Sequence, residues 1–258
     1  MAMTMDIRQI VDGWPYEPGE LSVRKVVGDD GREKVQMRLD LGLLQMEMTG
    51  RPDGQRPHGA ESLVHYHRKR LDAYRKRNGT DLGFELTAEQ CQALRTEAVM
   101  YYHRYLSLFV LEEFEQVERD TARNLQALDL LAKYAAKRED RVNFQQYRPY
   151  LIMMNTRAKA HTALKSKAYR SALAHVDAGL SAIAEFWQAL DDEEDGADAT
   201  EVMILQALRQ EILEQLPTDP IAKLERALEA AVDEERYEDA ARLRDQIHQQ
   251  RRQAREPK

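Results

Sequence analysis

Three histidines lie close together in the chain and are of the residue type that most often binds metal ions. They are His58, His65 and His67, and imidazole nitrogens suit several transition metals. His65 and His67 are only two residues apart, so on a helix their side chains point about 200° apart and cannot share one ion. No His-x-x-x-His or Glu-x-x-His pair accompanies them. We therefore predict no metal site and expect His67 to pack on the apolar side of a helix.

The other reactive residue types are isolated from suitable chemical partners. Cys91 is the single cysteine, which excludes an internal disulfide and a multi-cysteine zinc site. It falls in a predicted first helical turn, which can lower a thiol pKa, but no obvious base accompanies it. The carboxylates Glu112, Glu113, Glu115 and Glu118 are typical of a solvated helix face. With no Gly-x-x-x-x-Gly-Lys-Ser/Thr phosphate loop either, we expect a non-enzymatic protein without a cofactor.

Composition indicates a folded, helix-rich protein. The chain has 258 residues, 43% hydrophobic and 32% charged, with a formal net charge of −7. That charge argues against a general binder of nucleic acid or of anionic membranes. The longest apolar run, near residues 105–111, is far too short to span a membrane, and residues 1–8 lack the apolar core of a secretory signal. We expect a cytoplasmic protein with no membrane association.

The N-terminal region has the alternating pattern of β-strands. Residues 21–27 and 35–41 flank a turn rich in Gly and Asp, which predicts a β-hairpin. In the second strand Val35, Met37, Leu39 and Leu41 share the predicted dry face. After Gly42 the phase changes by one residue, which predicts a β-bulge or a bend. Two strands are not stable alone, so a helix or a second copy must cover them.

The middle of the chain has helical periodicity almost throughout. Thr87-Ala-Glu-Gln90 has the form of a capping box, and further helices are predicted over 112–136, 144–164 and 167–190. Residues 158–180 are similar in spacing to a tetratricopeptide helix pair, and residues 114–125 have a related but poorer pattern. The body is therefore either a TPR-like array, which often forms a peptide groove, or a plain helical bundle.

The spacing of apolar residues in the C-terminal region predicts a helical hairpin. Ile221, Leu224, Leu228 and Ala231 recur at helical spacing on one arm. The second arm repeats this spacing with residues that complete the predicted seam: Tyr237, Ala240, Leu243 and Ile247. Asp219 and Pro220 are suited to the N-cap and first helical position, and the polar run 233–236 fits a tight antiparallel connection.

At these residues the chain resembles the UVR motif, a helical hairpin of the UvrB and UvrC excision-repair proteins. The resemblance implies a contact module that pairs with a like hairpin, on a second copy or on another protein, so a homodimer is one expected state. The residues expected to contact the partner are Leu224, Glu225, Leu228, Ala231, Tyr237, Glu238, Ala240, Leu243, Arg244, Asp245 and Ile247. The alternative is that the hairpin docks onto its own chain. The helicase activity of UvrB does not carry over, because the phosphate loop is absent.

A basic segment supports a rival hypothesis. Residues 51–78 carry eight Lys/Arg and three Asp/Glu, so an accessory DNA-binding or excision-repair factor could use this segment. The candidate phosphate contacts are Arg51, Arg56, Arg68, Lys69, Arg75 and Lys76. A solvated helix face is the simpler interpretation, because no aromatic stacking pattern is evident in the sequence. An enzyme with a site in the Gly/Pro-rich loop 49–59 is the least favoured alternative.

Together these patterns predict a mainly α protein with four segments. A β-hairpin and basic helix occupy 1–80, a helical TPR-like or bundle body occupies 87–190, and an acidic linker occupies 191–200. A helix and the UVR helical hairpin complete the chain over 201–253, with the motif at 219–250. The leading hypothesis is a protein–protein interaction adaptor.

Overall fold

The protein is mainly α-helical, with a small antiparallel sheet near its N-terminus. The computed structural model describes residues 6–190, 199–216, 224, 228–232 and 236–253, and the chain divides into two compact units, Met1–Ile212 and Leu213–Lys258. The helices in the described part are α1 (Arg8–Val11), α2 (Leu63–Asn78), α3 (Ala88–Val110), α4 (Phe114–Tyr134), α5 (Arg138–Val142), α6 (Arg148–Lys165), α7 (Tyr169–Gln188), α8 (Thr200–Gln215) and α9 (Tyr237–Gln253). Residue 224 and residues 228–232 are also helical. The four segments predicted from the sequence remain predictions.

The sheet has three strands where the sequence predicted two. β1 (Val23–Val27), β2 (Glu33–Leu39) and β3 (Gly42–Glu47) form an antiparallel sheet in chain order. The phase change at Gly42 marks a chain reversal, since Leu39 pairs with Gly42 across a two-residue turn. The expectation of a bulge or bend within one strand was therefore wrong. The reversal removes Leu41, which is 96% exposed, from the dry face expected for it.

One hydrophobic core joins the sheet to most of the helices of the first unit. Val35, Met37 and Met46 of the sheet are buried together with Tyr105 and Leu108 of α3, so a helix covers the sheet as the sequence required. The same core continues through residues of α4, α6, α7 and α8. Consecutive helices pack on one another in chain order, from α3 to α4, α4 to α6 and α6 to α7.

A second core lies under α2. It contains Leu63, Val64 and Leu71 of this helix with apolar residues of α3 and α4. Residues 84–86 complete it, and the backbone N–H of Leu86 donates to the Tyr134 carbonyl at 2.7 Å. The second core therefore fixes the orientation of α2, with its basic residues on the opposite side.

Local sequence signals account for how these helices begin and end. Ser62 caps α2 by accepting a hydrogen bond from the His65 N–H at 3.2 Å, and Gly79 ends it in the left-handed region at φ 72°. The capping box predicted at Thr87 and Gln90 is confirmed, because the side chain of each residue accepts a hydrogen bond from the backbone N–H of the other.

Candidate interaction surfaces

The helix α9 carries most of the residues expected to contact a partner. Ala240 and Ile247 are buried, and Leu243 is half-buried. Tyr237 differs from these three, since it is 67% exposed. The physical reason is its position: it is the first residue of α9 and lies about 60° around the helix from Ala240. Its ring is therefore available at the surface instead of filling the seam.

The first arm of the hairpin is described only in part. Leu224 and Leu228 are half-buried and Ala231 is buried, while the predicted contact residue Glu225 lies outside the described residues. Val232 comes directly after Ala231 in the chain and is 48% exposed. The Arg236 N–H donates to the Ala231 carbonyl at 2.8 Å, a bond that links the two described helical segments.

The polar contact candidates of α9 lie on its exposed side. Glu238, Arg244 and Asp245 are all exposed, and Arg244 forms an ion pair with the adjacent Asp245 at 2.9 Å. Asp239 pairs with Arg236 at 2.9 Å and is an acid in the first turn, where it complements the helix dipole. The predicted partner residues thus separate into a buried apolar set and an exposed set around Tyr237.

In the basic segment, three of the six candidate phosphate contacts are bonded within the chain. Arg51 lies 3.3 Å from Asp53 and 3.4 Å from the buried Glu97. Arg75 pairs with Asp81 at 2.7 Å, and this bond, with those from Tyr134 and Lys133, holds the pKa of Asp81 well below its usual range. Arg68 donates to Gln126 at 2.7 Å. The Arg68 bond forms because α2 packs against α4.

The other three candidates have different surroundings. Arg56, Lys69 and Lys76 are exposed, and within the described part of the chain none of them lies in an ion pair. Sequence reasoning missed the aromatic residues next to them. His58 stacks on Tyr66 with 4.2 Å between ring centroids and 21° between ring planes. The spacing of Tyr66, Arg70 and Arg77 along one helix flank was a signal for this surface.

Sequence reasoning also missed a buried ionic network between α3 and α4. Arg104 and Asp120 are fully buried and form two hydrogen bonds of 2.7 and 2.8 Å. Glu97, also fully buried, accepts the backbone N–H of Leu63 at 2.9 Å and pairs with Arg123. These carboxylates hold α3 against α4 and the start of α2, which is a structural task.

Two of the reactive residues considered first in the sequence, Cys91 and His67, lie in the interior. Burial raises the pKa of Cys91, so the lowering that a first helical turn can cause does not prevail. His67 is 2% exposed, as expected for a residue on the apolar side. Burial lowers its pKa to about 4, with smaller contributions from Arg70 and His58. Within the described residues, no group of three His, Cys, Asp or Glu side chains could hold a metal ion.

These elements define a mainly α protein whose C-terminal unit contains helical segments with buried alanines and an exposed tyrosine. Residues 218–250 match the family model of the UVR motif, described as the UvrB/uvrC motif. This match confirms the resemblance to the UVR motif that the sequence shows at these residues. No curated protein matches the chain, and no solved structure does. None of the helices in the described part is both long and apolar enough to cross a membrane.

Proposed function

We propose that this protein is a non-enzymatic adaptor that binds a protein partner through its UVR segment. The observation that carries the proposal is the exposed Tyr237 within the matched residues 218–250. Large aromatic side chains are enriched among the residues that dominate protein interfaces. The proposal keeps the cytoplasmic location expected from the sequence.

The exposed part of α9 gives the proposed contact a definite geometry. Tyr237, Ala241, Arg244 and His248 are all exposed and follow one another at intervals of four, three and four residues. They form one stripe, which we call the Tyr237 stripe. It runs beside the buried residues Ala240 and Ile247. A small residue between larger ones lets a second helix approach closely, so the stripe suits a helical partner.

A physical argument favours a second hairpin as that partner. A hairpin of fewer than about 40 residues buries little apolar surface and usually needs support from another element. The chain has no disulfide to supply it. A second copy of this chain presents the same stripe, and a two-fold axis would place the two Tyr237 rings in the same contact.

The test is the mass of the full-length protein in solution, measured by light scattering over a range of concentrations. We expect a wild-type dimer and a Tyr237→Asp variant that is largely monomeric, because a carboxylate in the contact would be buried without a partner. Gln246→Asp is the matched control. It lies on the same helix about 180° away from Tyr237 and is also exposed, so it should remain a dimer.

A second measurement separates this contact from other modes of association. A chain ending at Leu216 lacks the whole UVR segment and should be monomeric. A dimer that persists in both the truncated chain and Tyr237→Asp would contradict the proposed contact. A wild-type monomer at every concentration would rule out self-pairing, and the remaining alternatives would be a different UVR-containing chain or docking of the hairpin onto its own chain.

A second candidate function is nucleic-acid contact through residues 51–78, as expected of an accessory factor in excision repair. What favours it is the unequal distribution of charge. The helix α2 has six Lys/Arg and one Asp, whereas the whole chain has a net charge of −7. A local basic face of this kind can hold phosphates although the chain as a whole is acidic.

A further inference from the structure

We propose that one flank of α2, together with His58, binds single-stranded nucleic acid by stacking a base as well as by holding phosphates. The proposal rests on the second candidate function and specifies the form of nucleic acid. The flank, which we call the α2 flank, consists of Tyr66, Lys69, Arg70, Ala73, Lys76 and Arg77.

These six residues form one continuous surface. They form two rows, 66–69–73–76 and 66–70–73–77, in which each step is three or four residues, so on a helix they lie on one side over about 16 Å. Ala73, Lys69, Lys76 and Arg77 are exposed, and Tyr66 and Arg70 are half-buried. The opposite side of α2 is the buried one, where Val64, His67 and Leu71 pack into the second core.

The cations of the α2 flank are not neutralised by carboxylates in the described part of the chain. Lys69 and Lys76 form no ion pair there. The Arg70 guanidinium lies over the rings of Tyr66, at 5.8 Å, and Phe84, at 5.6 Å. Arg77 lies 5.9 Å from the centre of the Tyr74 ring. Arg75 on the other flank, by contrast, pairs with Asp81 at 2.7 Å.

A ring platform stands at the N-terminal end of this charged flank. His58 is exposed and stacks on Tyr66 with 4.2 Å between centroids. Its backbone has φ 51°, in the left-handed region that a non-glycine residue rarely adopts. This backbone conformation places the exposed His58 ring beside the basic surface of α2, where a base could stack on it.

The cations of the α2 flank and the exposed His58 ring together favour single strands over duplexes. Bases of a single strand stack on aromatic side chains while a basic groove follows the phosphates. In a duplex the bases already stack on one another, so a duplex would use the lysines and arginines and gain nothing from His58. An acidic protein segment would likewise use only the charges.

The experiment measures fluorescence anisotropy of the full-length protein with a labelled oligothymidine and with a duplex of the same length. We expect tighter binding to the single strand at low salt. Lys69→Gln with Lys76→Gln should weaken binding to both forms and reduce the salt dependence for the single strand by about 0.7 per lost contact. His58→Gly should weaken binding to the single strand by about fivefold or more, while leaving the duplex unchanged.

Two variants control for folding and for the loss of an imidazole. Glycine accepts φ 51° without strain, so His58→Gly should fold, and His58→Asn provides a second variant that tolerates this region. His175→Ala removes a half-buried imidazole of α7, outside the α2 flank, and it should bind the single strand as the wild type does.

The outcomes distinguish this inference from the function on which it rests. No binding to either nucleic acid at low salt would overturn both. Equal binding to single strand and duplex, unaffected by His58→Gly and His58→Asn, would overturn the stacking inference and leave the basic face as a general phosphate surface. Competition by polyglutamate as effective as that by unlabelled oligothymidine would overturn it in favour of an acidic protein partner.

Discussion

His67 is a buried histidine whose environment makes it a pH-sensitive residue. It lies in α2 with 2% of its surface exposed, and its Nδ1 lies 3.2 Å from the Arg70 guanidinium. Burial, followed by the charges of Arg70 and His58, lowers its pKa from 6.5 to about 4. The imidazole therefore stays neutral in the folded protein at pH values where it would be protonated in the unfolded chain.

The consequence is a loss of stability on acidification. Between the unfolded pKa of about 6.5 and the folded pKa of about 4, the unfolded chain binds a proton that the folded protein excludes, so the free energy of unfolding falls as pH falls. The contribution of His67 is at most about 3 kcal/mol. Urea unfolding at several pH values should show a shallower pH dependence for His67→Leu than for the wild type.

The exposed His65 supplies the control for this measurement. His65→Gln removes an exposed imidazole from the same helix without changing its buried side, so it is measured in parallel with His67→Leu. Parallel curves for the wild type and His67→Leu over this pH range would show that His67 is not the responsible group.

At the scale of elements, the packing of α7 on α6 depends on one glycine. A Cβ built on Gly179 would contact the Thr156 hydroxyl and lie 2.6 Å from its Cγ2, and Thr156 is buried. Gly179 is therefore retained in the middle of a helix, where glycine is intrinsically unfavourable. The close approach of the two helices offsets that cost.

Gly179→Ala should destabilise the protein although alanine is the better helix former. Overpacking of a tight contact typically costs about 1–3 kcal/mol, which exceeds the gain of about 1 kcal/mol in helix propensity. Thermal unfolding by circular dichroism measures the difference. Thr156→Ala in the same chain removes the two nearest of the three obstructing atoms, leaving the Cβ at 2.9 Å, and should restore part of the loss. An unchanged melting temperature for Gly179→Ala alone would contradict this packing argument.

At the scale of the whole molecule, one buried ion pair connects parts that are distant in sequence. Arg104 of α3 binds Asp120 of α4, and it also donates to the carbonyls of Glu47 and Gly50 at 2.8 Å each. The guanidinium therefore joins two helices, the last strand and the loop that follows it. Such a pair is costly to desolvate but also costly to break, since each partner depends on the other.

Arg104→Met should destabilise the first unit by about 3–5 kcal/mol, because Asp120 would lose its bidentate partner while buried. Chemical denaturation measures this change. Arg209→Met is the matched control: Arg209 pairs with Asp177 at 2.8 Å at the surface, where such pairs contribute about 0–1 kcal/mol. An Arg104→Met protein as stable as the control would show that the network is not needed for stability.

Features with a local cause were predictable from the sequence. The capping box at Thr87 was predicted as the structure has it, and the basic helix expected within residues 1–80 is α2, Leu63–Asn78. Both depend on periodicity and on caps within a few residues. The UVR segment was recognised for the same reason, since its pattern lies within residues 218–250.

Features that depend on distant residues were not predictable. Leu39 and Leu41 continued the alternating pattern of β2, but they are 38% and 96% exposed because the chain reverses at this point. The pairing of Arg104 with Asp120 and the stacking of His58 on Tyr66 were absent from the sequence interpretation. Each of them requires knowledge of which elements lie next to one another.

The sequence by itself determined that this is a mainly α protein with a UVR motif and a basic helix, because composition, periodicity and motif spacing are properties of the chain. The tertiary structure decided which charges remain free. Arg51, Arg68 and Arg75 lie beside acceptors on other parts of the chain, whereas Lys69 and Lys76 face outward. The reason is that hydrophobic packing fixes the rotation of α2 about its axis, and this rotation selects the side chains that meet acceptors and those that remain exposed.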